Sequence, residues 1–119
     1  MNRSQRGRSG ERDAAEYLQK LGHDIVKQNY YTRNGEIDLI TRIDDRLHFV
    51  EVKTWRLSPE NLEFSIDNRK IHRIQCTARD FLAKNDRFRN CEKQFDVVYI
   101  TEPDHSVHYI PQAFEGGAE

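Results

Sequence analysis

The sequence predicts an α+β or mixed α/β domain built on one central sheet, and three observations carry that prediction. Two stretches have the three-to-four-residue apolar spacing of helices and five shorter ones alternate or run apolar like strands, in the order helix, three strands, helix, two strands. Asn34-Gly35, the strongest short-range hairpin signal, lies between the first two strand patterns. At 119 residues the chain is long enough for one sheet-and-helix core and too short for two.

Residues 1–9 are rich in arginine and serine without periodicity and read as a flexible basic arm, leaving 10–119 as the single domain. From Gly10, GERDAAEYLQKLG sets Ala14, Tyr17, Leu18 and Leu21 on one helical stripe, and Gly22 suits a left-handed cap. DIVKQNYYTR, GEIDLITR and RLHFVEVKTW then read as three strands of a meander, the last two joined across Asp44-Asp45. After a polar loop through Pro59, Asp67 reads as the N-cap of a second helix with Ile71, Ile74, Ala78, Phe81 and Leu82 on its apolar side. FDVVYI is short, apolar and β-branched, as a buried strand should be, and VHYI follows as the last strand.

The composition is 36% hydrophobic and 33% charged, and a net charge of −1 conceals an uneven distribution. Residues 1–12 and 67–89 are basic, whereas 36–51 and 92–119 are acidic. No apolar run has the length of a membrane span and the N-terminus lacks a secretory hydrophobic stretch, so a cytoplasmic protein is expected. Cys76 and Cys91 have neither zinc spacing nor the number of a disulfide framework and read as reduced thiols. His48, His72, His105 and His108 read as residues without a metal role.

The chemistry starts in FVEVKTW, where Glu51 and Lys53 stand among Phe49, Val50 and Val52. A hairpin turning at Asp44-Asp45 opposes residues whose numbers sum to 89, which sets Asp38 across from Glu51 and Glu36 across from Lys53. Two carboxylates about 5 Å apart repel by on the order of 3 kcal/mol at an effective dielectric near 20. A shared proton, Lys53 or a divalent cation would offset that, and Mg²⁺ suits one or two carboxylates best. An E-x-K alone is common on solvated strand faces; the opposed Asp38 is what makes it a candidate metal site.

GEIDLI followed by FVEVK resembles the PD-(D/E)xK nuclease signature. With GERDAAEYL, SIDNRKIHRI, ARDFL, FDVVYI and IPQAF, spanning residues 7–114, the chain resembles the YraN-like family of bacterial proteins, regarded as endonucleases. The resemblance implies a restriction-endonuclease-like three-layer domain, with a central mixed sheet of about five strands flanked by helices, similar to archaeal Holliday-junction resolvases. It implies Mg²⁺ (or Mn²⁺) on Asp38, Glu51 and the Val52 carbonyl, with Glu11 reaching toward the metal, Lys53 as the catalytic lysine and Glu36 as a flanking acid. Where the family often has a basic residue after EVKT, this chain has Trp55 and then Arg56, and Gln112 replaces an acid before the closing Ala-Phe.

The expected activity is metal-assisted hydrolysis of DNA phosphodiesters, with branched DNA as substrate by resemblance alone. Arg3, Arg6, Arg8, Arg12, Arg56, Lys70 and Arg73 are the candidate DNA contacts that would offset an acidic pocket. Lys70 sits in the first turn of its helix, against the dipole, and is a candidate phosphate ligand. Tyr30 and Tyr31 divide between core packing and base stacking, and Tyr109, Ile110 and Phe114 between core and a dimer interface. Symmetric cutting would need a two-fold homodimer. The competing readings are a non-catalytic nucleic-acid-binding module serving a helicase, nuclease or recombination partner, and a scaffold whose charged hairpin is a salt-bridge lattice.

Overall fold

The computed structural model describes residues 3–56 and 67–115, with side chains from residue 10 to 54 and from 67 to 115. Helix α1 (Arg3–Lys20) precedes strands β1 (Asp24–Thr32), β2 (Gly35–Ile43) and β3 (Arg46–Arg56). Helix α2 (Asn68–Lys84), a 3₁₀ turn (Asp86–Phe88) and strands β4 (Glu92–Glu102) and β5 (Ser106–Phe114) complete the domain. The strands form one sheet in the order β1-β2-β3-β4-β5, antiparallel throughout except for the parallel pair β3 and β4. A parallel pair needs a crossover, and α2 lies within it. This is the mixed α/β architecture the sequence predicts.

Each helix buries one apolar stripe against one face of the sheet. Ala14, Ala15 and Leu18 of α1 pack on Leu39, Val50 and Val98. On the other face Ile74, Ala78 and Phe81 of α2 pack on Ile40, Phe49 and Phe95. Phe49 and Val50 fall in opposite layers because successive strand side chains alternate. Phe81 anchors its layer, stacked on Phe88 at 5.7 Å and edge-on to Tyr30 at 5.2 Å. Burying a phenylalanine of this kind stabilises the fold by roughly 2–3 kcal/mol. Tyr30 is therefore packing, and Tyr109 and Phe114 also cover the chain's own core.

Several local expectations need correction. The helix includes residues 3–9, which were expected to form an arm; once Ala14 and Leu18 dock the helix, adding outer turns requires no new nucleus. Leu21 lies just past the helix end, 51% exposed, because Gly22 at φ +101° reverses the chain there. His23 N–H donates to the Leu18 carbonyl and Gly22 N–H to that of Gln19, the bonding of a Schellman cap. The first hairpin turns on Arg33-Asn34, with Gly35 already paired to Thr32. The Asp67 cap is as expected: its side chain accepts from the backbone N–H of Arg69 at 2.7 Å and of Lys70 at 3.3 Å.

His48 is a buried, hydrogen-bonded strand residue. Its Nδ1 lies 2.7 Å from Asp96 Oδ2 in the core, where Asp96 also accepts from Tyr109 Oη at 2.5 Å, Gln94 Nε2 at 2.8 Å and Gln112 N–H at 2.9 Å. Burial opposes the Asp96 charge, but these donors prevail and hold its carboxyl below the ordinary value of 3.8. The network ties β3, β4 and β5 together on the α1 side of the sheet.

Candidate functional site

The β2–β3 ladder has the predicted register, Leu39 with Val50 and Ile40 with Phe49, and ends at the Leu39–Val50 pair. Beyond that pair the Val52 N–H donates instead to Asp38 Oδ2 at 2.7 Å, so a side-chain carboxylate replaces a strand carbonyl. The strands part where their charges begin, as expected of opposed carboxylates. Glu36 consequently does not pair with Lys53; it lies opposite Tyr31 of β1. The opening is a cleft of about 360 Å³ whose walls include Glu36, Asp38, Glu51, Val52, Lys70 and Arg73.

Four elements supply the charges. Glu11 from α1 meets Glu36 and Asp38 from β2, with one carboxylate oxygen of each within 4.8 Å of the others. Glu51 from β3 hydrogen-bonds Asp38 on its other side. From α2, Lys70 Nζ lies 2.7 Å from Glu51 Oε2, a contact between a half-exposed cation and a carboxylate only 6% exposed. Lys70 thus answers the charge of a carboxylate that is buried on every other side.

The residues expected to form the site thus separate. Asp38, Glu51, Val52 and Glu11 converge, and Glu36, read as a flanking acid, joins them directly. Lys70 contacts Glu51, where the sequence suggested a phosphate. Lys53 is half-buried, on the Glu51 face of β3 and paired in register with Tyr99, and it is absent from the cleft wall. Arg73 lines the cleft; Arg12 lines a second hollow between α1 and β1, together with Glu11 and Asn29. The side chains of Arg3, Arg6, Arg8, Trp55 and Arg56 lie outside the described residues. A cation in the first turn of a helix was the one sequence signal that Lys70 answers a nearby carboxylate.

Residues 10–100 match the model of a family described as Uncharacterised protein family UPF0102. This chain belongs to the UPF0102 family. It is 41% identical to a UPF0102 protein of Syntrophomonas wolfei over 120 residues, covering 96% of this chain and 100% of the relative. A UPF0102 protein of Trichlorobacter lovleyi is 37% identical over 116 residues, covering 92% of this chain and 89% of that one. The UPF0102 protein CD630_12710 of Clostridioides difficile is 33% identical over 119 residues, covering 96% of this chain. The YraN-like resemblance read from the sequence is borne out. Among the described residues of this UPF0102 member, no helix is long and apolar enough to cross a membrane.

The electrostatics of the UPF0102 site are those of a crowded acid cluster. Burial, then the hydrogen bond and charge of Glu51, push Asp38 up to about 10, against the pull of the Val52 N–H. Asp38 therefore holds a proton at neutral pH, shared with its neighbours. Burial and the Glu36 charge likewise raise Glu11, although hydrogen bonds with Asn29 and, to a smaller extent, Asp38 work the other way. Burial disfavours the Lys70 charge, but Glu51, Asp38 and Glu36 outweigh it and hold the ammonium above its ordinary value. An all-oxygen set with more carboxylates than cations has the donor chemistry that hard divalent cations take.

Proposed function

We propose that this protein is a metal-dependent DNA endonuclease that hydrolyses phosphodiester bonds. The observation that carries the proposal is the convergence of Glu11, Glu36 and Asp38, one carboxylate oxygen of each within 4.8 Å of the others, with buried Glu51 hydrogen-bonded to Asp38. Packing several carboxylates this closely is unfavourable through mutual repulsion and burial, and a bound divalent cation offsets both. Asp38, Glu51, Glu11 and Glu36, with the Val52 carbonyl, would hold Mg²⁺ or Mn²⁺. When bound, that ion supplies Lewis-acid polarisation of a phosphoryl oxygen and a lowered pKa for its water.

The chain's own groups have separate tasks in this reading. The Val52 N–H fixes Asp38 on the rigid β2–β3 hairpin, so the ligand oxygens need little reorganisation. Asp38 releases its shared proton when the site loads, which makes loading easier as pH rises. Lys70 and Arg73 put positive charge on the same cleft and draw a phosphate toward acids that would otherwise repel it. Lys53, by resemblance, stabilises negative charge developing on the phosphate. Arg12 and the exposed Arg69 and Arg79 of α2 extend the basic surface for backbone contacts.

The test is incubation of the protein with labelled four-way junction, single-stranded and linear duplex DNA in Mg²⁺ or Mn²⁺, beside Glu51→Gln and Asp38→Asn controls. Metal-dependent cleavage lost in both controls is expected, with the junction arm deciding whether branched DNA is preferred. Salt-dependent binding without cleavage would replace this reading with the accessory binding module, and neither binding nor cleavage would overturn both.

A further inference from the structure

Asn29 has no place in the signature, yet it stands against the site. In the β1–β2 ladder Gln28 pairs with Leu39 and Tyr30 with Ile37, which sets Asn29 across from Asp38. Asp38 therefore has Asn29 beside it on β1 and Glu51 beside it on β3. The ladder keeps one register on both sides of Asn29, and its irregularity lies further back, between Ile25 and Lys27. Asn29 nevertheless has φ +53°, in the left-handed region that a strand residue does not need. Its side-chain amide hydrogen-bonds Glu11, and the two line the hollow between α1 and β1.

A left-handed residue within a strand is strained and persists only where its surroundings hold it. Asparagine tolerates that conformation better than other residues with a Cβ, and it also brings a donor. Glu11 comes from a helix, whereas its neighbours Glu36 and Asp38 come from a strand, so its approach to them is not set by strand geometry. The charges of Glu36 and Glu51 oppose that approach, and two hydrogen bonds work against them, one with Asp38 and a larger one with Asn29.

We infer that Asn29 is a positioning residue of the acidic site: its left-handed backbone turns the side-chain amide onto Glu11 and holds that carboxylate toward Asp38 and Glu36. The inference rests on the metal-site reading above. In metal sites, partners that orient a ligand through a hydrogen bond typically change affinity by roughly 10–100-fold when removed.

Asn29→Gly separates the two contributions, because glycine keeps the left-handed backbone and lacks the amide. Mn²⁺ affinity is read from the electron paramagnetic resonance of the free ion, hydration of the bound ion from water-proton relaxation, and folding from metal-free thermal denaturation. Asn29→Gly is expected to melt within a few degrees of the unaltered chain, to bind Mn²⁺ on the order of 10-fold more weakly, and to admit extra water to the bound ion. In a Glu11→Gln background the same substitution should change affinity less than twofold, since the effect passes through Glu11. Unchanged affinity in Asn29→Gly, or an undiminished loss in the Glu11→Gln background, would overturn the inference while the metal reading stood. Failure of the unaltered chain to bind Mn²⁺ would overturn the metal reading and this inference with it. If Asn29→Gly does not fold, the side-chain amide resonances of Asn29 decide: they should move on Glu11→Gln substitution, and no movement would overturn the inference.

Discussion

Replacing Asp38 by asparagine should make the metal-free protein more stable. The Asp38 carboxyl, ordinarily ionising at 3.8, is pushed to about 10 by burial and by Glu51. Between those values the native state holds a proton that the unfolded chain has released, so stability falls as pH rises from about 4 to about 10. At pH 7 the accumulated loss is about 4 kcal/mol if Asp38 titrates alone. Because Asp38 does not titrate independently of its neighbours, about half that is the better expectation. Asparagine keeps an oxygen for the Val52 N–H and brings a permanent donor for Glu51, so Asp38→Asn should stabilise by about 2 kcal/mol. For a chain of this size that corresponds to about 6–10 °C in Tm. The assay is thermal and urea denaturation of both proteins at pH 4, 7 and 9, with and without Mg²⁺. The gap should be small at pH 4 and wide at pH 9. Mg²⁺ at a hundred times its Kd should stabilise the unaltered chain by about 2.7 kcal/mol and leave Asp38→Asn unmoved. An asparagine variant that melts at or below the unaltered chain at pH 7, or a gap independent of pH, would refute the account of a crowded acid site.

Three other substitutions test neighbouring parts of the argument. Lys70→Met removes the cation 2.7 Å from buried Glu51; with the lysine partly exposed and a proton at hand, a loss of about 1 kcal/mol is expected in urea without metal, recovered in Mg²⁺. A Cβ on Gly10 would sit 2.7 Å from Thr54 Oγ1. Gly10→Ala should therefore destabilise the contact between α1 and β3 by roughly 1–3 kcal/mol, and adding Thr54→Ala should restore most of it; additive losses would show that the contact is not the cause. Asp96→Asn faces the donors of His48, Tyr109, Gln94 and Gln112 with one acceptor oxygen in place of two and should cost roughly 3 kcal/mol in denaturant melts. Since folding depresses the Asp96 pKa, its contribution is present above the ordinary value of 3.8 and is lost as pH falls through the lower folded value, a loss the variant should lack.

Features that depend on near neighbours in the chain were legible without coordinates. Gly22 ends the first helix, Asp67 caps the second, and Asp44-Asp45 sets the register that pairs Leu39 with Val50, because turn stereochemistry and the two-residue strand period are properties of short segments. Asp38 and Glu51 were legible as a pair for the same reason. The register did not reveal where the ladder stops. That depends on the balance between strand hydrogen bonds and repulsion among charges arriving from several elements.

The sequence by itself therefore determined the element order, the two apolar helix stripes and the hairpin that carries the central acids, since each follows from local periodicity. Only the tertiary structure decided that β3 pairs in parallel with β4, that Glu11 and Glu36 close on Asp38, and that Lys70 turns to Glu51. Apart from Glu36, which neighbours Asp38 on the same strand, these contacts join residues far apart in the chain. Sheet assembly and helix docking bring them together, and desolvation of the docked interface then determines which charges must find a partner.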